Sequence, residues 1–360
     1  MRLALSLAQR GLGRVWPNPA VGCVIVKDGV LVGRGWTQRG GRPHAETVAL
    51  AQAGSKAKGA TAYVTLEPCA HHGKTPPCAN ALVATGITRV VCALDDPDSR
   101  VSGQGYTILR NSGVDLVQDV LVEAAADLNQ GYLLNRIIGR PMFTLKMASS
   151  IDGRIAIASG ESRWITGPEA RRQVHMMRAR HDAVLIGAGT ARFDNPLLDV
   201  RDIGLADDNP VRIVLDGGLS LSLTSKLAQT ANQTPLWICH RQGLDKSRRK
   251  TWEKIGATLI EVAHSKTGEL ELHDMATQLA KRGLTRVLCE GGGRVASSMI
   301  AVELVDSLVT FTAGIAIGSE GGSVFGPLQI KALQDAPQFD LAESRRVGAD
   351  IMTVWKLNAK

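Results

Sequence analysis

Four residues in the N-terminal part of the chain have the types and spacing of a catalytic metal site. His44 and Glu46 lie in the tripeptide HAE, and Cys69 and Cys78 stand at the two ends of the segment CAHHGKTPPC. One imidazole and two thiolates supply three ligands for zinc and leave the fourth position open for water. A three-ligand site of this kind is typical of catalytic zinc, whereas structural zinc is closed by a fourth protein ligand.

The expected chemistry is hydrolytic deamination. Zinc lowers the pKa of bound water from about 15.7 to roughly 7, which provides hydroxide at neutral pH. Hydroxide can attack a ring carbon that carries an amine, and Glu46 is placed to move protons from the water to the ring and the leaving ammonia. The pattern H-x-E followed by P-C…C is typical of nucleobase and nucleotide deaminases. The alternative is a structural zinc knuckle closed by His71 or His72, but such a site has no use for Glu46.

Composition limits the class of protein. The chain has 360 residues, which predicts two domains. Its net charge of +8 is spread evenly along the sequence, and aromatic residues make up only 4%. Both features argue against a nucleic-acid surface, which requires a localised basic patch or stacking aromatics. The modest positive charge favours small phosphorylated metabolites as partners.

The other cysteines indicate a reducing compartment. Cys23, Cys92, Cys239 and Cys289 lie in apolar runs and are expected to be buried free thiols. The opening MRLALSLAQRG predicts an amphipathic helix and not a signal peptide. No stretch approaches the roughly 20 apolar residues of a membrane span. We therefore expect a cytoplasmic protein without a membrane segment.

The order of predicted elements is α/β in both domains. In the first, strands at 20–27, 30–36, 61–68 and 89–97 alternate with helices at 2–11, 44–53, 78–84 and 104–112, a pattern that predicts a three-layer fold. A helix over 121–139 precedes the breaker Gly139-Arg140-Pro141, which sets the domains at 1–139 and 140–360. In the second domain, apolar strands that end in glycines, including 182–190, predict a mostly parallel sheet.

A glycine-rich turn supplies the second chemical signal. In CEGGGRVASS a strand is followed by three glycines and a helix, so that free backbone N–H groups can face an anion at the start of the helix. The spacing differs from G-x-G-x-x-G, so the motif is not the Rossmann fingerprint. His175 and His181 lie six residues apart on a predicted helix and are expected at the surface or an interface, not as a metal pair.

The first domain resembles the deaminase domain of the bifunctional deaminase–reductases of riboflavin biosynthesis. The eight-residue insert between Cys69 and Cys78, PNPAVGCVIVKDG (17–29) and DDPD (95–98) carry the resemblance. It implies a cytidine-deaminase-like fold, a zinc site of His44, Cys69 and Cys78, Glu46 as proton shuttle, Asn18 as a substrate contact, and His71 and Lys74 as phosphate contacts. Thr37 and Arg42, near the expected mouth of the pocket, depart from the family pattern.

The second domain resembles the reductase domain of the same family through TLKMASSIDGRIA, SGESRWITG and LIGAGTARFDNP. The resemblance implies a dihydrofolate-reductase-like fold that uses NADPH, with Lys146 near the sugar carbon that accepts hydride. The implied NADPH contacts are Ala148, Trp164, Thr190, Gly292, Gly293, Arg294, Val295, Ala296, Ser297 and Ser298. The implied substrate contacts are Ser162, Arg178, Asp194, Leu198, Arg201 and Glu290.

Together these features predict an enzyme with zinc and NADPH as cofactors and two successive reactions. The first would remove the 2-amino group of 2,5-diamino-6-ribosylamino-4-pyrimidinone 5′-phosphate, and the second would reduce the ribosyl group of the product to ribityl. Two alternatives remain: a deaminase of tRNA with a C-terminal binding domain, and a zinc-stabilised binding module without activity. A homo-oligomer is possible, and the sequence does not give the domain arrangement.

Overall fold

The computed structural model of the chain describes residues 1–70, 76–98, 102–205 and 209–358. The chain separates into two compact units, Met1–Arg140 and Pro141–Lys360, so the division falls in the Gly139-Arg140-Pro141 segment. Among the described residues, no helix combines the length and the apolar character needed to cross a membrane.

The first unit is a sheet with helices on both sides. Its elements are α1 (Arg2–Ala8), β1 (Gly22–Lys27), β2 (Val30–Trp36), α2 (Ala45–Ala53), β3 (Thr61–Val64), α3 (Cys78–Ala84), β4 (Arg89–Cys92), α4 (Gln104–Asn111), β5 (Asp115–Val117) and α5 (Val122–Ile137). The strands lie in the order β2-β1-β3-β4-β5. β1 is antiparallel to β2 and β3, whereas β3, β4 and β5 run parallel.

Side chains along β1 point alternately to the two faces of the sheet, and different helices cover each face. Val24 packs with residues of α1, whereas Cys23 and Ile25 pack into the core that α2 and α3 contribute to on the opposite face. The unit therefore has three layers, as predicted. Gly35 of β2 allows α2 to lie very close to the sheet, because a methyl group at this glycine would be 2.3 Å from the carbonyl oxygen of Ala45. This contact fixes the start of α2, where the first metal ligand lies.

The second unit contains a nine-stranded sheet. Its elements are β6 (Met142–Ser150), β7 (Arg154–Ala156), α6 (Pro168–Ala179), β8 (Ala183–Gly187), α7 (Ala188–Asp194), β9 (Val211–Leu215), α8 (Lys226–Gln229), β10 (Leu236–Arg241), α9 (Lys246–Lys254), β11 (Thr258–Val262), α10 (Leu272–Lys281), β12 (Arg286–Cys289), α11 (Gly293–Ala301), β13 (Ser307–Ala313), β14 (Gly322–Ser323), β15 (Phe339–Val347) and β16 (Asp350–Leu357).

The order of the large sheet is β11-β10-β9-β8-β12-β6-β13-β16-β15. Every neighbouring pair from β11 to β13 is parallel, and β16 and β15 add an antiparallel edge. The prediction of a mostly parallel sheet is confirmed. The predicted strand over 182–190 was too long, because the chain turns into helix α7 at Ala188. The segment GAGT did not indicate the start of a helix, because its glycines are weak helix formers.

His175 and His181 are not at the surface, so the prediction of a surface position for these two residues was wrong. His175 and His181 are both buried. The two ring nitrogens of His181 lie 2.7 Å from the carbonyl oxygen of Met177 and 3.0 Å from the hydroxyl of Thr144. A neutral ring satisfies both contacts, and burial lowers the pKa of His181 to about 3. The prediction for the other cysteines is confirmed, since Cys23, Cys92, Cys239 and Cys289 are buried and free.

Candidate functional site

Three elements of the first unit bring the candidate metal ligands together. His44 is the N-cap of α2, and Cys78 is the first residue of α3. Cys69 lies in the segment between β3 and α3, five residues after the strand ends at Val64, so the expectation that this strand delivers Cys69 at its own end was wrong. The position of Cys69 is fixed instead by α3, because its Sγ accepts the N–H of Cys78 at 3.3 Å.

The distances among the three ligands suit zinc. The His44 Nδ1 atom lies 3.3 Å from the Cys78 Sγ and 3.6 Å from the Cys69 Sγ, and all three ligand atoms are within 4.8 Å of one another. Zinc binds sulfur at about 2.3 Å and nitrogen at about 2.0–2.1 Å, so tetrahedral angles place neighbouring sulfur and nitrogen ligands about 3.5 Å apart. The three side chains therefore fit one zinc ion without rearrangement.

Glu46 adjoins these ligands in a buried position. It lies in the first turn of α2 and is 3% exposed. Burial raises the pKa of Glu46 to about 7. A hydrogen bond with Cys78 lowers the pKa of Cys69, with a further contribution from His44. A thiolate is the form that binds metal, and a carboxyl group that titrates near neutral pH can both accept and release a proton.

A pocket opens beside the metal ligands and includes Asn18. The Asn18 side chain donates to the carbonyl oxygen of Val15 at 3.3 Å. It packs against Gly41, where a methyl group would lie only 2.0 Å from the Asn18 Nδ2 atom and where φ is +83°. Only glycine suits this position. The pocket is lined by Asn18, Pro19, Val21, Thr37, Gly41, Arg42, His44, Glu46, Leu66, Glu67, Cys69, Asp96, Asp98, Tyr132 and Arg136. His71 and Lys74 lie outside the described residues.

Several polar residues of this pocket were not anticipated from the sequence. Glu67 accepts the N–H groups of Gly103 at 3.0 Å and Gly105 at 2.9 Å, and so holds the start of α4. Asp96 accepts the hydroxyl of Tyr132 at 2.9 Å. Nothing local predicts these long-range contacts. Asp96 at least belongs to the DDPD segment that carried the family resemblance.

Arg136 of α5 forms a further ion pair at the pocket, with Asp98. Arg136 lies 5.4 Å from the ring centroid of Tyr132, and its Nε atom is 4.0 Å from the Asp98 Oδ2 atom. Tyr132 and Arg136 are four residues apart and therefore share one face of the helix. The four-residue spacing predicts from the sequence that the two side chains are neighbours. It does not predict that this face of the helix lines the pocket.

The second unit places Lys146, Arg178 and Glu290 in one largely buried cluster. The register of β6 and β12 pairs Leu145 with Cys289, so Lys146 and Glu290 follow at neighbouring positions. Burial lowers the pKa of Lys146, and the carboxylate of Glu290 partly opposes this effect. Burial would raise the pKa of Glu290, but Arg178 keeps it below its ordinary value. The cluster presents an amine that can lose its proton more readily than an exposed lysine.

Arg178 and Glu290 contact each other directly. The Arg178 Nε atom is 2.6 Å from Glu290 Oε1 and its Nη2 atom is 2.9 Å from Oε2, while Nη1 donates to the carbonyl oxygen of Asp199 at 2.9 Å. Arg201 is held differently, by the carboxylate of Asp199 on a half-exposed surface. Among the other predicted substrate contacts, Leu198 is buried, and Ser162 and Asp194 are half-buried.

The glycine-rich turn after β12 forms a cradle for an anion. Helix α11 begins at Gly293 without a side-chain cap among the described residues, and the Gly292 N–H is 3.2 Å from the Thr190 hydroxyl. Backbone N–H groups at such a helix start bind phosphate. This arrangement suits the pyrophosphate of NADPH, so the chain fits the predicted cofactor.

The remaining predicted NADPH contacts differ in how exposed they are to solvent. Trp164 is 65% exposed, with the guanidinium of Arg171 at 4.6 Å from its ring centroid, and Arg294 and Ser298 are also exposed. In contrast, Ala296 is buried and Ser297 donates its hydroxyl to the Gly326 carbonyl oxygen at 3.0 Å. The buried residues therefore pack within the unit, whereas the exposed residues have surface that a ligand can contact. Ala148 and Val295 are half-buried.

Comparison with known proteins assigns each unit to a family. Residues 1–94 match the cytidine and deoxycytidylate deaminase zinc-binding region, and residues 141–353 match the RibD C-terminal domain. The riboflavin biosynthesis protein RibD of Escherichia coli is 41% identical over 362 residues, covering 98% of this chain and 96% of that protein. RibD of Aquifex aeolicus is 38% identical and covers 99% of this chain and 97% of that protein.

Solved structures show the same relationship. RibD of Acinetobacter baumannii superposes with a TM-score of 0.88 at 36% identity, covering 99% of this chain and 98% of that one. A diaminohydroxyphosphoribosylaminopyrimidine deaminase/5-amino-6-(5-phosphoribosylamino)uracil reductase from Thermotoga maritima superposes with a TM-score of 0.85 at 33% identity, covering 99% and 97%.

Proposed function

The chain belongs to the RibD family of bifunctional deaminase–reductases of riboflavin biosynthesis, and we propose that its two units perform the family's two steps at the sites described above. The first unit deaminates 2,5-diamino-6-ribosylamino-4-pyrimidinone 5′-phosphate. The second reduces the ribosyl group of the product to ribityl with NADPH. The convergence of one histidine, two cysteines and a buried glutamate in a chain similar to RibD over nearly its whole length carries this proposal.

In the first unit His44, Cys69 and Cys78 hold zinc, which supplies the Lewis acidity that makes water a nucleophile at neutral pH. Glu46 accepts one proton from the attacking water and passes it to the ring nitrogen. It then moves the second proton, from the hydroxyl added to the ring carbon, to the amine, which leaves as ammonia while the ring C=O forms. Asn18 orients the pyrimidine from the pocket wall, where its contacts with Val15 and Gly41 restrict its rotation. His71 and Lys74 contact the substrate phosphate.

In the second unit NADPH supplies the hydride, and the chain positions donor and acceptor. The start of α11, from Gly292 onward, binds the pyrophosphate, and Ala148, Trp164 and Thr190 complete the cofactor site with residues 293–298. As the C1′–O4′ bond of the ribosyl ring breaks, Lys146 donates a proton to the departing ring oxygen, and C1′ accepts the hydride. The carboxylate of Glu290 raises the pKa of Lys146 and so opposes the loss of charge that burial favours.

The substrate contacts of the second unit comprise both charged and neutral groups. Glu290 and Arg178 act as a joined pair, so Arg178 meets the substrate with the donors that its three hydrogen bonds leave unused. Arg201 is half-exposed, and a substrate phosphate would compete with Asp199 and Asp202 for its guanidinium. The proposed set is Ser162, Arg178, Asp194, Leu198, Arg201 and Glu290.

The proposal also covers location and partners. A thiolate metal site and buried free thiols are suited to the reducing cytoplasm. The low aromatic content and evenly spread charge favour a free phosphorylated pyrimidine over a polynucleotide as substrate. Association into a homo-oligomer is a further prediction, which light scattering on the purified protein would decide.

The test is to incubate the purified zinc-loaded protein with the pyrimidinone phosphate, with and without NADPH. We expect ammonia release without NADPH, and NADPH oxidation only after deamination. Oxidation of NADPH by the undeaminated substrate at the same rate would refute the proposed order of steps. Absence of both ammonia release and NADPH oxidation would refute the function. Lys146→Ala with undiminished NADPH oxidation would refute the role of Lys146 alone.

A further inference from the structure

A buried histidine of the second unit lies against a loop that carries two of the predicted substrate contacts, Leu198 and Arg201. His175, on α6, is 7% exposed and has no part in the two reactions described above. Its Nδ1 atom lies 3.2 Å from the carbonyl oxygen of Asp199 and 3.4 Å from the backbone nitrogen of Arg201. One ring nitrogen of His175 therefore meets the backbone on both sides of Val200.

The backbone of this loop needs anchors from the rest of the unit. Residues 195–205 form no helix or strand. Leu198 has a φ of +56° and Asp202 has a φ of +61°, in the left-handed region that residues with a Cβ atom seldom adopt. One anchor is Asn209, whose Oδ1 atom accepts the N–H of Val200 at 2.7 Å. The ring of His175 supplies the next contact along the backbone.

The two contacts of the His175 Nδ1 atom place opposite demands on its proton. The N–H of Arg201 requires a bare nitrogen that accepts, whereas the carbonyl oxygen of Asp199 requires an N–H that donates. The Asp199 oxygen has a second donor, the Arg178 Nη1 atom at 2.9 Å. The Arg201 N–H has no other acceptor among the described residues. The neutral ring with its proton on Nε2 therefore satisfies the loop better than the protonated ring.

The surroundings of His175 favour this neutral form. Burial lowers the pKa of His175, and the guanidinium groups of Arg178 and Arg201 lower it further, against the opposing effect of Asp199. The ionisable groups that face the ring come from three elements: Arg178 on the same helix, Asp199 and Arg201 on the loop, and Glu290 after β12. The carboxylate of Glu290 is itself paired with Arg178. We therefore expect His175 to be neutral near pH 7 and to be protonated only at lower pH than an exposed histidine.

We propose that neutral His175 is a positioning residue of the reductase site, which holds the backbone of Arg201 so that its guanidinium meets the substrate phosphate. The proposal rests on the proposed reductase function and adds to it a residue that acts through Arg201. Protonation of the ring removes the acceptor of the Arg201 N–H and adds a third positive charge beside Arg178 and Arg201. Both changes loosen the loop, so the affinity for the substrate falls when His175 is protonated.

Steady-state reduction of separately supplied deaminated product measures this role in the full-length protein. His175→Ala should raise KM for this substrate at least about fivefold, while kcat and the KM for NADPH stay within about twofold. His175→Asn should keep KM near the original value at about pH 7.5, because the asparagine oxygen can replace Nδ1 as acceptor. In an Arg201→Ala background, His175→Ala should have no further effect, because the histidine acts through Arg201.

The pH dependence of KM separates positioning from general support of the fold. KM of the original protein should rise more steeply than that of His175→Asn as the pH falls from about 8 to about 5, because the asparagine does not titrate. Titration of the substrate phosphate affects both proteins alike. His181→Gln is the matched control, since it removes a buried imidazole that contacts Thr144 and not the loop. Its pH profile of KM should follow that of the original protein.

Three results would overturn the inference and leave the reductase proposal standing. The first is an unchanged KM in His175→Ala. The second is a parallel rise in the KM for NADPH, which would show that the histidine supports the unit as a whole. The third is an identical pH profile of KM in the original protein and His175→Asn, and this comparison decides the matter if His175→Ala does not fold. Failure of the original protein to oxidise NADPH with the deaminated product would refute the reductase proposal and the inference with it.

Discussion

Loss of either Arg178 or Glu290 should destabilise the second unit, because the two side chains form an ion pair within its proposed active site. The two side chains are 12% and 10% exposed and join through two hydrogen bonds of 2.6 and 2.9 Å. Glu290→Gln keeps the shape of the side chain but removes the charge that compensates Arg178 and Lys146. Removal of one partner of a buried ion pair typically costs about 3–5 kcal/mol. We expect a loss of this order in the free energy of unfolding of the second unit.

Urea unfolding of Glu290→Gln, Arg178→Met and the double variant measures this coupling. The double variant should be less destabilised than the sum of the single variants by about 1–3 kcal/mol, because it leaves neither charge unpaired. Ammonia release by the first unit serves as the internal control and should not change. Single-variant costs below about 1 kcal/mol, or costs that simply add, would refute the claim that the pair is a buried, mutually dependent unit.

Three other perturbations test separate parts of the account. Burial lowers the pKa of His181 from 6.5 to about 3, so the folded state resists protonation of this ring. The free energy of unfolding should therefore be unaffected by His181 above pH 6.5 and should fall by about 2 kcal/mol at pH 5. Urea unfolding of His181→Gln should depend less on pH than urea unfolding of the original protein. Gly41→Ala should raise KM for deamination at least about tenfold because the methyl group displaces Asn18, whereas Gly40→Ala, with a similar φ and no atom within 4 Å, should not change KM. Chelation of zinc should abolish ammonia release while NADPH binding, followed by fluorescence, persists.

The metal site was the most predictable part of the molecule. His44, Glu46, Cys69 and Cys78 are close in sequence, and their residue types restrict the chemistry to a few possibilities. The sequence also predicted that α2 and α3 begin at these ligands. It did not predict that Cys69 lies beyond its strand, because the length of a strand depends on its neighbours in the sheet and not on its own residues alone.

Long-range contacts explain what the sequence analysis missed. His181 looks like a surface residue of a basic helix, but its contact with Thr144, 37 positions earlier, places it in the interior. Arg178 and Glu290 are separated by 112 positions, and no local pattern reveals that they form a pair.

The most direct test of the central claim is ammonia release by Glu46→Gln. The variant keeps the size of the side chain and all three metal ligands, so it should contain zinc at the level of the original protein. We predict that ammonia release from the pyrimidinone phosphate falls by about 10²–10⁴-fold, while NADPH-dependent reduction of separately supplied deaminated product is unchanged. Ammonia release at the original rate from the zinc-loaded variant would contradict the assignment of Glu46 as the proton carrier of a hydrolytic deaminase.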